Sequence, residues 1–183
     1  MRLAYDRTMT TAPRQARLWL KVEPLHAQAF RPFGDVIEAG DDAQHRTINE
    51  GFAQRYDDLA RLDTGRHGGH PVLSIFRARP RTLPLQLRLV ERHRLGSQAF
   101  MPLLQQRFLV VVAAAGPAPV PAQLRCFMAA PGQGVNYAAG TWHHPLIALD
   151  AGGDFLVIDR GGPSAAEDCD EHPLLDAEVW VRG

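Results

Sequence analysis

Lysine and cysteine are both scarce in this chain, and each shortage excludes a class of chemistry. Lys21 is the only lysine, so Schiff-base catalysis, including that of pyridoxal phosphate, would depend on a residue that opens a predicted strand. Cys126 and Cys169 lie far apart and lack the spacing of metal ligands, so we expect neither a zinc motif nor a disulfide framework. No apolar run is long enough for a membrane helix, and arginines interrupt the first residues of the chain. We therefore expect a cytoplasmic protein without a signal peptide.

An excess of charge of one sign is also missing, because 20 basic residues balance 20 acidic ones. Nucleic acid and anionic membranes attract strongly basic proteins, so we expect neither as a partner and favour a small neutral or singly charged molecule. A hydrophobic content of 45% suits one compact domain. We predict an irregular extension over residues 1–17 and a single domain over residues 18–183.

Short apolar segments separated by turn residues make up most of the chain. Such a series, without long helices between the segments, predicts an all-β antiparallel sandwich or barrel. Two short helices are predicted, at residues 26–33 and 56–62. The last segment, "EVWVRG", predicts a final strand that covers a sheet edge or crosses to a partner subunit. The strand segments are "RLWLKVEPL", "PVLSIFRA", "LQLRLVERH", "RFLVVVAAA", "LRCFMAA", "PLIALD" and "DFLVIDRG".

The segment "LPLQLRLVERH" carries a carboxylate and an imidazole where the strand period predicts an interior face. Leu85, Leu87 and Leu89 alternate with mostly polar residues, and Glu91 and His93 continue the leucine side of the alternation. Burying these two groups is costly unless each finds a partner, which favours an internal polar site. The alternative is that the strand emerges into solvent after Leu89.

The segment "GTWHHPL" places two histidines next to each other, at positions 143 and 144. Consecutive residues of a regular strand face opposite ways, so at most one of these rings can point inward. The other is then expected to be structural or to lie at the margin of the pocket.

Together these segments resemble the ureidoglycolate lyase family, whose members are enzymes of the allantoin breakdown pathway. The resemblance covers about residues 18–170 and implies a cupin-like double-stranded β-helix, that is, a jelly-roll barrel. It also implies a homodimer that cleaves ureidoglycolate to glyoxylate and urea, and makes His143 the internal histidine of the pair. The matching segments are "FGDVIE", "INEG", "RYDDLA", "VERHRLGSQAFMPL", "GVNYAAGTWHHPL" and "FLVIDRGG".

Compared with the general cupin pattern, the sequence keeps only part of the usual metal site. Glu91, His93 and Gln98 stand at the three positions of the first cupin motif, and the second motif retains Gly140 and His143 but lacks its proline. A glutamate, two histidines and an amide oxygen are candidate ligands for a loosely held divalent ion such as nickel or manganese. A polar pocket that works without a metal is the alternative.

The reaction that the resemblance implies needs one group to remove a hydroxyl proton and another to protonate the departing nitrogen. We assign these proton transfers to His143, Glu91 and His93, without deciding which is acid and which is base. The expected substrate-binding residues are Arg77 and Arg160 for the carboxylate, Asn49, Gln98, Asn136 and Tyr137 for the urea group, and Trp142 as a pocket wall or core residue.

Three other functions remain open at the level of sequence. A barrel that grips a small carboxylic acid can be a binding module without catalysis. A cupin of this size can instead be a metal-dependent isomerase or dioxygenase, although His93 and His143 supply only two histidine ligands. A hydrolase that releases ammonia in place of urea is the third alternative.

Overall fold

The structure is a computed structural model that describes residues 16–40, 43–164 and 168–183, except for the side chain of Asp176. The predicted extension at residues 1–17 thus lies, up to residue 15, outside the described residues. One α-helix is present in the described ranges, α1 at Ala27–Phe30. The strands are β1 Leu18–Leu20, β2 Val22–Pro24, β3 Gly34–Ile37, β4 His45–Ile48, β5 Ala53–Tyr56, β6 His70–Ala78, β7 Leu85–Gln86, β8 Leu89–His93, β9 Gln98–Pro102, β10 Phe108–Ala113, β11 Arg125–Ala129, β12 Gly134–Tyr137, β13 Trp142–His143, β14 Ile147–Ala148, β15 Gly153–Gly161, β16 Cys169–Pro173 and β17 Val179–Val181.

Three sheets are stacked as layers. A seven-stranded sheet, in the order β16-β8-β13-β10-β11-β2 with β14 also paired to β10, lies in the middle. A five-stranded sheet, β3-β12-β9-β15-β6, packs on one face, and a three-stranded sheet, β1-β17-β7, packs on the other. A separate hairpin of β4 and β5 completes the described strands. The all-β cupin-like fold predicted from the sequence is confirmed, with the two larger sheets facing each other.

Strand β10 explains why the middle sheet has a core on each side. Leu109 and Val111 lie in the core against the three-stranded sheet, here called the outer core. Val110 and Val112 lie in the core against the five-stranded sheet, here called the inner core. A strand buried on both faces has no polar side to alternate with, which accounts for the continuous apolar run of this segment.

The predicted strand through residues 85–93 is broken in two. Leu85 pairs with β17 in the three-stranded sheet, whereas β8 pairs with β13 and β16 in the middle sheet. Leu87 and Val90 are both buried in the outer core, although strict alternation would place an odd and an even position on opposite sides. The alternation is therefore interrupted between them. Glu91 and His93 do point into the protein together, but the alternation with Leu85 and Leu87 was the wrong reason for expecting it.

The helices differ from expectation at one of the two places. The four-residue α1 lies inside the predicted range 26–33, and its Phe30 is fully buried. The helix predicted at residues 56–62 is absent: Tyr56 ends β5, and residues 57–65, with the turn that follows, make an extended strap, residues 57–69, across the outer face of the five-stranded sheet. None of the described helices is long and apolar enough to cross a membrane.

Hydrogen bonds hold both the middle of the strap and the last strand of the chain in place. The backbone N–H of Asp63 donates to Ser97 Oγ at 2.8 Å, and the N–H of Ser97 donates back to the Asp63 carbonyl at 2.8 Å. The predicted last strand is confirmed as β17, which runs parallel to β1 and antiparallel to β7 within its own chain. It therefore covers the edges of two short strands of the same chain.

Candidate active site

Glu91, His93 and His143 converge between the two larger sheets. Strand β13 pairs with β8 so that His143 stands directly opposite Glu91. One ligating atom from each of the three residues lies within 4.8 Å of the other two. His143 Nε2 is 3.6 Å from Glu91 Oε1, and the His93 and His143 ring centroids are 5.5 Å apart. The spatial convergence expected from the sequence is therefore present in the structure.

Two further predicted residues border this group. The Tyr137 ring stacks on His143, with centroids 4.2 Å apart and an angle of 13° between the planes. Burial, followed by the charge of Glu91, raises the pKa of the Tyr137 hydroxyl, so it remains protonated at any physiological pH. Gln98 lies opposite Tyr137 on β9, and its buried Oε1 has no hydrogen-bond partner among the described residues.

The backbone fixes the tautomer of His143. Its Nδ1 lies 3.0 Å from the Thr141 carbonyl oxygen, which can only accept a hydrogen bond. Nδ1 must therefore carry a proton. In the neutral ring Nε2 then has no hydrogen, and its lone pair lies beside the Glu91 carboxylate. Two acceptors that face each other across 3.6 Å form a place where a proton or a cation is stabilised.

The surroundings set the charge states of the other two members. Burial opposes ionisation of Glu91, but the attraction of His143, and then of His93 and His144, is greater, so the Glu91 pKa lies below its usual value. Burial, reinforced by repulsion from His143, lowers the pKa of His93 in spite of the opposing effect of Glu91. At neutral pH the site therefore contains an ionised carboxylate and a neutral His93.

A small cavity of about 100 Å³ adjoins His93 and contains an arginine with a free donor. Arg160 Nε donates to the Arg66 carbonyl at 3.0 Å and Nη2 donates to the Pro163 carbonyl at 3.0 Å. The remaining nitrogen, Nη1, is buried without a partner in the described part of the chain. Arg160 is thus held in place by backbone oxygens, and Nη1 is the one guanidinium nitrogen that they do not use.

Two acidic residues of this cavity, Asp159 and Asp168, were missed by the sequence reasoning. Asp168 is buried, and its Oδ1 accepts a hydrogen bond from the Leu95 N–H at 2.6 Å. Asp159 follows Phe155 and Val157 on the inward side of β15, so the same alternation argument used for Glu91 would have found it. Asp168 lies in the acidic segment "AEDCDEH", where no periodic signal marks an inward residue.

The donor set of the three converging residues fits a divalent ion. His93 Nε2 and His143 Nε2 are both buried without a hydrogen-bond partner in the described residues. A ligating histidine normally donates its other N–H to a carbonyl, as His143 does to Thr141. A carboxylate and two imidazoles suit nickel, manganese or another divalent transition metal.

Trp142 is not brought to the site. It lies in the outer core, facing away from His143, because consecutive residues of β13 point to opposite faces of the middle sheet. The Arg92 guanidinium stacks 4.4 Å above its ring, and its Nε1–H donates to the Gly116 carbonyl at 3.2 Å. Of its two predicted roles, pocket wall or core residue, the structure places it in the core.

Arg77 is also placed away from the cluster. Phe76 packs against Phe100 on the inner side of the five-stranded sheet, so Arg77 points outward, and its side chain is 82% exposed. It forms a two-point ion pair with Asp154, with nitrogen to oxygen distances of 2.8 and 2.9 Å. This geometry gives no support to the expected carboxylate-binding role.

Asn49 and Asn136 are separated from the cluster as well. Asn49 lies in the turn of the β4–β5 hairpin, which forms a sheet of its own. Asn136 is buried on the outer face of β12, where its Nδ2 donates to Asp35 Oδ2 and to the Arg61 carbonyl, both at 3.0 Å. His144 is buried next to His143, and its Nδ1 lies 2.7 Å from the Pro145 carbonyl oxygen.

These features define a class: an all-β protein of cupin-like architecture with a Glu-His-His site between its two larger sheets. The Ureidoglycolate lyase family profile matches residues 17–182, and the chain belongs to this family. A ureidoglycolate lyase of Burkholderia cepacia is 53% identical over 156 residues, which are 85% of this chain and 86% of that protein. One from Pseudomonas putida (strain W619) is 46% identical over 162 residues, or 88% of this chain and 95% of that protein.

Solved structures with similar folds include two sugar isomerases. A 3,4-ketoisomerase from Helicobacter canadensis has 10% sequence identity and a TM-score of 0.40, covering 74% of this chain and 87% of its own. A dTDP sugar isomerase from Desulfovibrio desulfuricans G20 has 16% identity and a TM-score of 0.42, covering 78% of this chain and 86% of its own.

Proposed function

We propose that this protein cleaves ureidoglycolate to glyoxylate and urea. The observation that carries the proposal is the convergence of Glu91, His93 and His143, whose two unpartnered Nε2 atoms face the interior beside an ionised carboxylate. Ureidoglycolate lyase is also the name of the relatives that share about half of their residues with this chain.

The chemistry is an internal proton transfer coupled to bond cleavage. Ureidoglycolate carries a hydroxyl and a urea nitrogen on the same carbon, next to a carboxylate. The hydroxyl loses its proton, the carbon–oxygen bond becomes the aldehyde of glyoxylate, and the carbon–nitrogen bond breaks. The departing nitrogen takes up one proton and leaves as urea, so no proton is consumed overall and no oxidant is needed. A single group that first accepts and then returns the proton is sufficient.

His143 is assigned this shuttle because its tautomer leaves Nε2 free to accept a proton. Protonation turns the ring into an imidazolium 3.6 Å from the Glu91 carboxylate, which stabilises the new charge. The neutral His93 beside them orients the substrate hydroxyl or the departing nitrogen. Gln98 and Tyr137 line the interior next to His143 and are assigned to the urea group.

Arg160 is assigned to the substrate carboxylate. Its unpartnered Nη1 belongs to a side chain that borders the same small cavity as His93. A charged hydrogen bond between a guanidinium and a carboxylate is strong where water is excluded. The carboxylate is then fixed on one side of the reacting carbon while the histidines act on the other.

The proposal is tested by incubating purified protein with ureidoglycolate and measuring glyoxylate, urea and ammonia. Equimolar glyoxylate and urea are expected, and His143→Ala is expected to lose turnover while its thermal unfolding stays close to that of the wild type. Release of ammonia would indicate a hydrolase, and binding of glyoxylate without turnover would indicate a binding module. Full activity of the His143→Ala protein would remove that residue from the mechanism.

A divalent ion held by Glu91, His93 and His143 is the alternative use of the same atoms, with Gln98 as the fourth expected ligand. Such an ion would supply a Lewis acid for a substrate oxygen. His143 Nε2 cannot ligate a metal and carry the shuttled proton at the same time, so the two arrangements are mutually exclusive. Metal content and turnover after dialysis against a chelator distinguish them.

The proposal extends to cellular context: a cytoplasmic homodimer in allantoin breakdown that binds neither nucleic acid nor membrane. A dimer is supported by β6, an edge strand whose outward residues Leu73 and Ile75 are 67% and 50% exposed. Exposed apolar residues beside a free strand edge favour association with another chain. Light scattering after size exclusion should give twice the mass of one chain, and Leu73→Asp should shift it to one.

A further inference from the structure

A second cavity, of about 380 Å³, lies on the outer face of the five-stranded sheet. Asn136, which lines it, stands between Val135 and Tyr137 on β12, and both of these neighbours belong to the inner core. The Asn136 side chain therefore points to the side of the sheet opposite His143, which stacks on Tyr137. This cavity is distinct from the site between the sheets.

Arginines outnumber aspartates among the residues that line this cavity. The walls include Arg31, Arg61, Arg66, Asp35 and Asp63. Arg66 Nη2 is paired with Asp63 Oδ2 at 2.6 Å. Asp35 Oδ2 accepts hydrogen bonds from the Arg61 backbone N–H and from the Asn136 side-chain amide, both at 3.0 Å. Within the described residues, the guanidinium groups of Arg31 and Arg61 have no ion-pair partner, and with the Asp35 carboxylate counted against them the lining keeps a net charge of +1, which favours an anionic ligand.

Asn136, one of the residues that line the cavity, has a side-chain acceptor without a partner among the described residues. Asn136 is 1% exposed, and both hydrogens of its Nδ2 are used, by Asp35 and by the Arg61 carbonyl. These two acceptors fix the orientation of the amide. Its Oδ1 is buried and has no partner among the described residues. Buried acceptors in folded proteins are nearly always satisfied, so this oxygen is a candidate acceptor for a ligand N–H.

We propose that this cavity binds a small carboxylate that also carries an N–H group, such as an N-carbamoyl amino acid. Arg31 and Arg61 take the carboxylate, and Asn136 Oδ1 accepts the N–H. The volume suits a ligand of this size, since small-molecule sites start at about 300 Å³. This binding is independent of the reaction proposed above.

Bound ligand would also hold the strap. Arg61 and Arg66 belong to the strap, and the Arg66 carbonyl accepts the hydrogen bond from Arg160 Nε. A carboxylate held by Arg61 therefore restrains the same strap that carries the Arg66 carbonyl, one of the backbone oxygens that orient Arg160.

Calorimetric titration with N-carbamoylglycine tests the proposal, because that compound has the carboxylate and the ureido N–H but no hydroxyl to lose. We compare the wild type with Arg31→Gln/Arg61→Gln and with a control, Arg79→Gln/Arg88→Gln, that removes two exposed, unpaired arginines elsewhere in the described residues. The first variant is expected to lose one binding site per chain or to weaken it by about tenfold or more, with the control unchanged. Equal stoichiometry and affinity in all three proteins would overturn the proposal.

A second titration tests the donor separately. Acetate offers a carboxylate without an N–H, and we expect it to bind at this site at least about tenfold more weakly than N-carbamoylglycine. Equal affinity for the two would refute the role of Asn136 Oδ1. The substituted arginines are exposed in the folded chain, so melting temperatures close to that of the wild type are expected and verify folding.

Discussion

Replacing Glu91 by glutamine isolates the electrostatic part of the proposed chemistry. The substitution keeps the size of the side chain and removes the charge that faces His143 across 3.6 Å. If His143 becomes an imidazolium during turnover, that charge stabilises it by about 4–5 kcal/mol at an effective dielectric constant near 20. Losing the whole of this energy would slow the reaction by about a thousandfold.

Solvent reduces the effect somewhat, because the Glu91 side chain is 20% exposed. We therefore expect kcat/KM to fall between about a hundredfold and a thousandfold. Folding should change little, since the glutamine amide can donate to His143 Nε2 and replace an ion pair by a neutral hydrogen bond. A shift in Tm within about 4 °C is expected.

The assay follows glyoxylate release under initial-rate conditions, with Glu171→Gln as the matched control. Glu171 stands opposite Glu91 on the neighbouring strand β16 but is exposed to solvent, so its loss should leave kcat/KM unchanged. Retention of more than about a tenth of wild-type kcat/KM by Glu91→Gln would refute a stabilised imidazolium at His143. An equal loss in both variants would show that the effect is one of general surface charge.

Four other outcomes follow from the same structure. If the three residues bind nickel or manganese, adding the ion should raise Tm, and His93→Gln should abolish the rise; no shift in the wild type would exclude a tight site. Burial raises the pKa of the Cys126 thiol to about 12, so only Cys169 should react with a disulfide reagent before unfolding, and two fast thiols would contradict this. Alkylation of Cys169 should lower turnover because its Sγ lies 4.0 Å from Glu91 Oε2, and Cys169→Ser should resist the reagent. Trp142→Ala should cost about 3–5 kcal/mol in the free energy of unfolding, measured with denaturant, and a cost below about 1 kcal/mol would contradict its place in the core.

Short apolar segments separated by turns predicted the all-β fold, whereas Glu91 and His93 were expected from an alternation that the structure interrupts and His143 from the family resemblance. The apolar run of β10 and the turn residues around it mark an all-β chain without any knowledge of partners. The positions of Glu91 and His93 were right, although the chain bends after Leu87 and joins another sheet there. That bend depends on packing between sheets, which a period within one segment cannot express.

The peripheral binding residues depended on contacts that sequence spacing does not contain. Arg77 faces outward because its neighbour Phe76 fills the inner side of β6, and Asn49 lies in a hairpin that forms a sheet of its own. Arg160 does line the small cavity next to His93, but its orientation comes from carbonyl groups of the strap and the following turn. Such long-range backbone contacts are set only when the sheets assemble.

The two-residue strand β13 puts an indole and an imidazole back to back on one short piece of chain. Because a single peptide link joins them, any repacking around the indole shifts the ring that we assign to proton transfer. Substitutions beneath the three-stranded sheet, on residues that never meet substrate, are thus a route by which evolution or an engineer could adjust the rate of reaction.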